Sequence, residues 1–248
     1  MSPVLFLLLA VAGVGAGLVG YLVGLASLVS YPALLAAGLP PVAANVTNTL
    51  ALVGAGVGTA ARAGRQFLAR GPRTTLVEVS VALVGGLLGA WLLLATGESS
   101  FSSVVPWLVL AAAVLLAVSP RLQHAGALGP VPRPVYYGAL LLTCVYGGYF
   151  GAGAGVIYLA IAVLLSGMDF TSSVLVKSIL LAVSNLSAAV LFMLTAPVHW
   201  GAALALGIGC VVGGWLGPAV QRLIPERVLR ITVSAAGVGL AGWLWVHR

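Results

Sequence analysis

Lys177 is the residue with the most chemistry to offer, because it is the one cation well inside an apolar run, between Val176 and Ser178. A charge within a membrane costs at least ~2.5–3.5 kcal/mol on insertion scales, so residues kept there generally serve a function. An ammonium in such surroundings suits an anion. The competing reading is that Lys177 reaches for a helix end, since it follows Asp169 by about two turns. Polar residues that could join it are few. Asn45, Thr47, Asn48 and Thr49 gather at the start of the run 42–61. A helix N-terminus there would present free N–H groups and partial positive charge, and the amides would add donors for an oxyanion. The same residues would equally cap the helix after Pro40-Pro41 or bond a neighbouring helix. Asn185 follows Lys177 by two turns, on roughly the same face, with Ser178, Ser184 and Ser187 nearby. Ser27, Ser30 and Tyr31 follow one glycine cluster, and Tyr149 and Tyr158 flank another. These tyrosines are also fitted to interfacial anchoring or core packing.

Other chemistries find little support. Glu78, Glu98, Asp169 and Glu226 are the only acids; Asp169 could pair with Lys177 or carry a coupling proton, with solvation at the surface as the alternative. His124, His199 and His247 each stand at a segment end. There is no Ser-His-Asp order, no metal-ligand spacing and no phosphate-cradling G-x-x-x-x-G-K-[ST], so no catalytic residue, metal or cofactor is expected. Cys144 and Cys210 lie in apolar segments and read as small packing residues.

The elements that would hold these residues are membrane helices. Hydrophobic residues are 61% of the 248 and charged residues 6%, where a soluble domain carries about a quarter charged. Of the 11 Lys and Arg, nine are arginines in short loops between apolar runs, a topology-setting pattern rather than a phosphate-binding face, which excludes nucleic acid as a partner. The N-terminus is apolar at once, without the basic region of a cleaved signal, and reads as the first membrane element. The runs 42–61, 75–96, 103–119, 171–195, 199–220 and 228–246 approach the ~20 residues that span a bilayer, and show no strand-like alternation. Breaks are expected at Gly71-Pro72, Gly97-Glu98-Ser99, Ser119-Pro120, Pro197 and Pro225.

Two stretches exceed one span. Residues 3–37 run through Gly13, Gly15, Gly17, Gly20 and Gly24, and residues 135–167 through Gly147, Gly148, Gly151, Gly153 and Gly155. Glycine costs about 1 kcal/mol relative to alanine inside a helix. Each stretch is therefore read as two short helices folded back at its glycines; one long tilted helix with small packing residues is the alternative. Loop charge favours the folded reading. Arg62, Arg65, Arg70 and Arg73 share one loop, Arg121 and Arg133 another, and Arg222, Arg227 and Arg230 a third. If each long stretch crosses once, six of these arginines lie inside and three outside; if each crosses an even number of times, all nine lie on one side, as the positive-inside rule prefers. The arginine loops are then cytoplasmic and both termini outside.

With that parity the second half begins on the opposite face from the first, which makes an inverted-topology repeat. The expected fold is an all-α integral membrane protein of 8–10 helices, each repeat a broken-helix hairpin plus three spans. The boundaries are 1–120 for the first repeat, 121–133 for a cytoplasmic linker and 134–248 for the second repeat. A weak internal alignment, G-Y-L-V-G (20–24) with G-Y-F-G (148–151), sets Asn48 against Lys177 and Asn45 against Val174.

These segments resemble the TauE/SafE sulfite exporter family, also called the toluene-sulfonate uptake permeases. The resemblance covers most of the chain. It is carried by G-L-V-G-Y-L-V-G (17–24), P-A-L-L-A-A-G-L-P-P (32–41) with A-x-x-x-N (44–48), and Y-G-G-Y-F-G-A-G-A-G (146–155). Lys177, S-N (184–185), V-H-W-G-A-A-L-A-L-G (198–207) and G-G-W-L-G (213–217) continue it. Two departures are Leu25-Ala26-Ser27 where the family has a glycine run, and Ala160 or Leu159 at the counterpart of Pro32. The resemblance implies a secondary transporter, in the cell membrane, of small sulfur-containing anions such as sulfite, thiosulfate or organosulfonates. The expected binding set is Lys177, Asn48, Asn45, Asn185, Ser27, Ser30, Tyr31, Tyr149, Tyr158 and Ser178. A transporter or channel for another small ion or metabolite is the alternative, and a membrane-embedded lipid enzyme lacks an acid/base pair. Small-residue faces would permit a homodimer.

Overall fold

The computed structural model describes residues 1–124 and 131–221 continuously, with isolated positions beyond. Among the described residues eight helices follow one another: α1 (Pro3–Val23), α2 (Ser27–Ala36), α3 (Pro41–Leu68), α4 (Pro72–His124), α5 (Arg133–Tyr149), α6 (Ala154–Ser166), α7 (Phe170–Thr195) and α8 (Trp200–Val220). Among the described residues four segments are long and apolar enough to cross a membrane: Pro3–Val23, Pro72–Val114, Thr171–Thr195 and Trp200–Val220. Their outer faces are apolar as well. Leu7, Leu8 and Val11 on α1, Leu87 and Trp91 on α4 and Leu204 and Ile208 on α8 are all exposed, as lipid-facing positions are.

Several boundaries differ from the sequence expectation, each for a local reason. The first long stretch breaks into two helices as expected, but only at the last glycine of its cluster. α1 runs unbroken through Gly13, Gly15, Gly17 and Gly20 and ends only at Gly24, whose φ of +79° is a left-handed helix stop. In the second stretch, Gly147 and Gly148 remain helical in α5, and the chain breaks at Phe150–Gly153, with Gly151 and Gly153 at positive φ. Gly97 alone interrupts α4 (φ 73°, ψ 170°), so no loop forms over 97–102 and Ser119-Pro120 does not end the helix. Arg62 and Arg65 belong to the last turns of α3 and Arg73 to the first turn of α4 rather than to a loop; only 69–71 forms the turn. The segment 228–246, with Pro225, lies outside the continuously described residues.

The long helices pack in a row, α1 on α8, α8 on α3, α3 on α7, α7 on α4 and α4 on α5. The short helix α2 lies against α1 and α3, and α6 lies against α5, α7 and α4. Small residues set the close spacing that membrane helices use in place of a hydrophobic driving force. Gly17 meets Gly213 between α1 and α8, where an added β-carbon would come within 2.6 Å of the Cys210 carbonyl. On the α4–α5 side, Gly85 meets Cys144 and Gly148 meets Gly86. Cys144 and Cys210 are buried in these seams.

Candidate functional site

The two helix breaks meet. Gly24, after α1, lies against Gly155, in the first turn of α6, backbone to backbone: a β-carbon built on Gly24 would fall 2.6 Å from the Gly155 Cα. No other residue permits both that approach and a left-handed φ. Beside this crossing is a cavity of about 60 Å³, room for a few waters or a small anion. It is lined from α1 (Gly17, Gly20, Tyr21), the start of α2 (Ala26, Ser27), α3 (Asn48 to Thr59), the α5–α6 break (Gly147, Phe150, Gly151, Ala154) and α7 (Lys177, Ser178, Asn185).

Lys177 is 1% exposed. Its Nζ donates to the carbonyl oxygens of Gly20 at 3.0 Å and Tyr21 at 2.5 Å, and stands 6.0 Å from the centre of the Tyr21 ring. These carbonyls are in the last turn of α1, at the negative end of its dipole, and that of Gly20 also accepts from the Gly24 N–H at 3.0 Å. The long side chain crosses to another helix rather than extending to the end of its own. Asp169 does not pair with it; that carboxylate is exposed, caps α7 by accepting from the Ser172 amide at 2.9 Å, and is held below the usual carboxylate range by the Ser172 hydrogen bonds.

Five of the ten expected residues line the cavity: Lys177, Ser178, Asn185, Asn48 and Ser27. Asn48 Nδ2 donates to Ser27 Oγ at 3.2 Å, tying α3 to the start of α2. The helix start expected beside Asn48 is elsewhere. α3 begins at Pro41, so the Asn48 amide is already inside the helix, and the helix starts at the cavity are those of α2 and α6. The other five residues do not line the cavity. Asn45 Nδ2 donates to the Tyr149 carbonyl at 2.8 Å, closing the end of α5 much as Lys177 closes the end of α1. Ser30 Oγ bonds back to the Ala26 carbonyl at 3.0 Å, and Tyr31 packs edge-on against Phe150, 5.4 Å between centres. The Tyr149 ring packs against Phe101. The hydroxyl oxygen of Tyr31 and Oδ1 of Asn45 and of Asn48 are buried with no protein partner.

Sequence reasoning missed a second polar cluster. Glu78, 1% exposed, accepts from Arg70 at 2.8 and 3.0 Å and from the Tyr136 hydroxyl at 2.8 Å; that hydroxyl is 3.1 Å from the hydroxyl of the fully buried Tyr158. Arg70 is therefore no free topology charge, and Tyr158 belongs to this cluster. The available signal was Glu78 itself, an acid inside the apolar run 75–96, which meets the criterion that singled out Lys177. Removing one member of a buried ion pair strands the other. Glu78→Gln is expected to cost about 3 kcal/mol and Tyr136→Phe about 1 kcal/mol, measured by denaturation in detergent; equal, negligible costs would show that water already serves Arg70.

Among the described residues no group of three or more His, Cys, Asp and Glu could hold a metal ion. The fold defines an all-helical membrane protein with a lysine-lined cavity where two helix breaks meet. A model of the family described as sulfite exporter TauE/SafE matches residues 9–244, and the chain belongs to that family of membrane transporters. A probable membrane transporter protein, ORF9, of a Sinorhizobium species is 26% identical over 97% of this chain and 94% of its own length. The probable membrane transporter protein YfcA of Escherichia coli K12 is 26% identical over 95% of this chain and 88% of its own. A probable membrane transporter protein of Haemophilus influenzae is 26% identical over 88% and 86%. No solved structure matches.

Proposed function

We propose that this protein is a secondary transporter of small sulfur-containing anions, such as sulfite, thiosulfate or organosulfonates, held in the cavity at the Gly24–Gly155 crossing. The observation that carries the reading is the make-up of that cavity: Lys177 is the basic side chain among its described lining residues, and none of them is an Asp or Glu. The end of α1 offsets only about half a charge, and the starts of α2 and α6 add positive potential. Asn48, Asn185, Ser27 and Ser178 supply hydrogen-bonding groups around it. The name of the family supports the sulfur-anion class.

The row of helices supports two inverted repeats. Exchanging α1 with α5, α3 with α7 and α8 with the first arm of α4 leaves the row α1–α8–α3–α7–α4–α5 unchanged. Asn45 of α3 closing α5, and Lys177 of α7 closing α1, are reciprocal contacts of the same kind. Alternating access then comes from rocking one hairpin-bearing half against the other, in the cell membrane with the arginine-bearing turns cytoplasmic and both termini outside. Thermal melts of the purified protein with sulfite, thiosulfate, sulfate, sulfoacetate, taurine, chloride and acetate test the reading. A ligand that binds only the folded state stabilises it by RT ln(1 + [L]/Kd). A shift confined to sulfur anions is expected. A shift with a metal cation alone would transfer the site to another cargo.

A further inference from the structure

We infer that the end of α1 is a binding site for a small monovalent cation and that Lys177 supplies that cation as part of the chain. Two independent features converge on its Nζ: two carbonyl oxygens of a terminal helical turn, at the negative end of the α1 dipole, and the face of Tyr21 at 6.0 Å. Each is a means by which proteins hold a cation, and broken membrane helices use the same end carbonyls to hold coupling ions. The ammonium is buried and arrives from α7, 156 residues away in sequence. It therefore joins the end of a broken helix to an unbroken one at the point where α1 gives way to α2. A tethered cation cannot dissociate, so this position needs no metal ion drawn from solution. The inference concerns the α1 end alone and stands whether or not the adjoining cavity carries a sulfur anion.

Truncating the side chain should expose the site to free cations. Purified Lys177→Ala should melt below wild type and recover by about 2–4 °C when ethylammonium or sodium replaces choline at equal ionic strength. Wild type should melt alike in all three salts. Lys177→Met, similar in volume but neutral, should stay low in every salt because it fills the space. Should Lys177→Ala yield no folded protein, Lys177→Arg and Lys177→Met carry the test, with the arginine variant expected to keep more of the wild-type melting temperature. Lys177→Ala indifferent to every cation, a methionine variant as stable as the arginine one, or a wild type stabilised by sodium over choline would each overturn the proposal. All of these readouts omit sulfur anions, so their failure is separate from failure of the transport reading.

Discussion

Replacing Gly24 with valine is expected to remove most of the folded protein from detergent extracts. Two costs add at this residue. Its φ of +79° lies where a β-branched residue is strained, worth about 1–3 kcal/mol. Its new β-carbon would also lie 2.6 Å from the backbone of Gly155, a contact that real structures do not tolerate. Neither backbone can yield alone, because Gly24 stops α1 and Gly155 lies in the first turn of α6. Overpacking typically costs a further 1–3 kcal/mol, and the sum approaches the whole stability of many domains. Gly38 provides the control. Its φ is +87°, but nothing lies within 4 Å of an added β-carbon, so Gly38→Ala should cost only the strain of about 1–2 kcal/mol. Size-exclusion profiles and melting temperatures read both. A Gly24→Val protein as monodisperse and stable as Gly38→Ala would mean that the two breaks do not touch.

The second large effect belongs to Lys177→Met. A charged hydrogen-bonding group contributes about 1.5–3 kcal/mol, so anion affinity should fall by about 10–150-fold. The same change removes the lysine's bonds to the Gly20 and Tyr21 carbonyls, so the melting temperature should fall too. Asn185→Ala separates the two effects. Asn185 lines the cavity but makes no contact with α1 of the kind Lys177 makes, so its loss should weaken anion binding with little change in melting temperature. Equal affinity for anions in wild type and Lys177→Met would move Lys177 from the cavity's chemistry to the support of α1 alone.

What could be read in the sequence was whatever left a compositional trace. A lone lysine in an apolar run is conspicuous, and Lys177 is buried at the cavity as that isolation implied. Asn185 was recoverable because helical periodicity relates it to Lys177. The broken hairpins were legible as glycine clusters, but their break points were not. Gly13, Gly17 and Gly20 have the same letter as Gly24, and only partners from α8 and α2 distinguish a packing glycine from one that stops a helix. The same limit hid the Tyr21 carbonyl, since every residue carries one and only the geometry of α7 against α1 gives it a lysine. Tyr158 stands away from the cavity for a related reason. Its place near the glycine cluster suggested the cavity, whereas its hydroxyl meets that of Tyr136, which in turn donates to Glu78 of α4.

Uptake of radiolabelled thiosulfate or sulfite into proteoliposomes, run beside Lys177→Met and protein-free vesicles, tests the central claim most directly. Saturable uptake by wild type, inhibited by an organosulfonate and lost in Lys177→Met, is the predicted result. Flux no greater than that of protein-free vesicles, or flux undiminished in Lys177→Met, would contradict it.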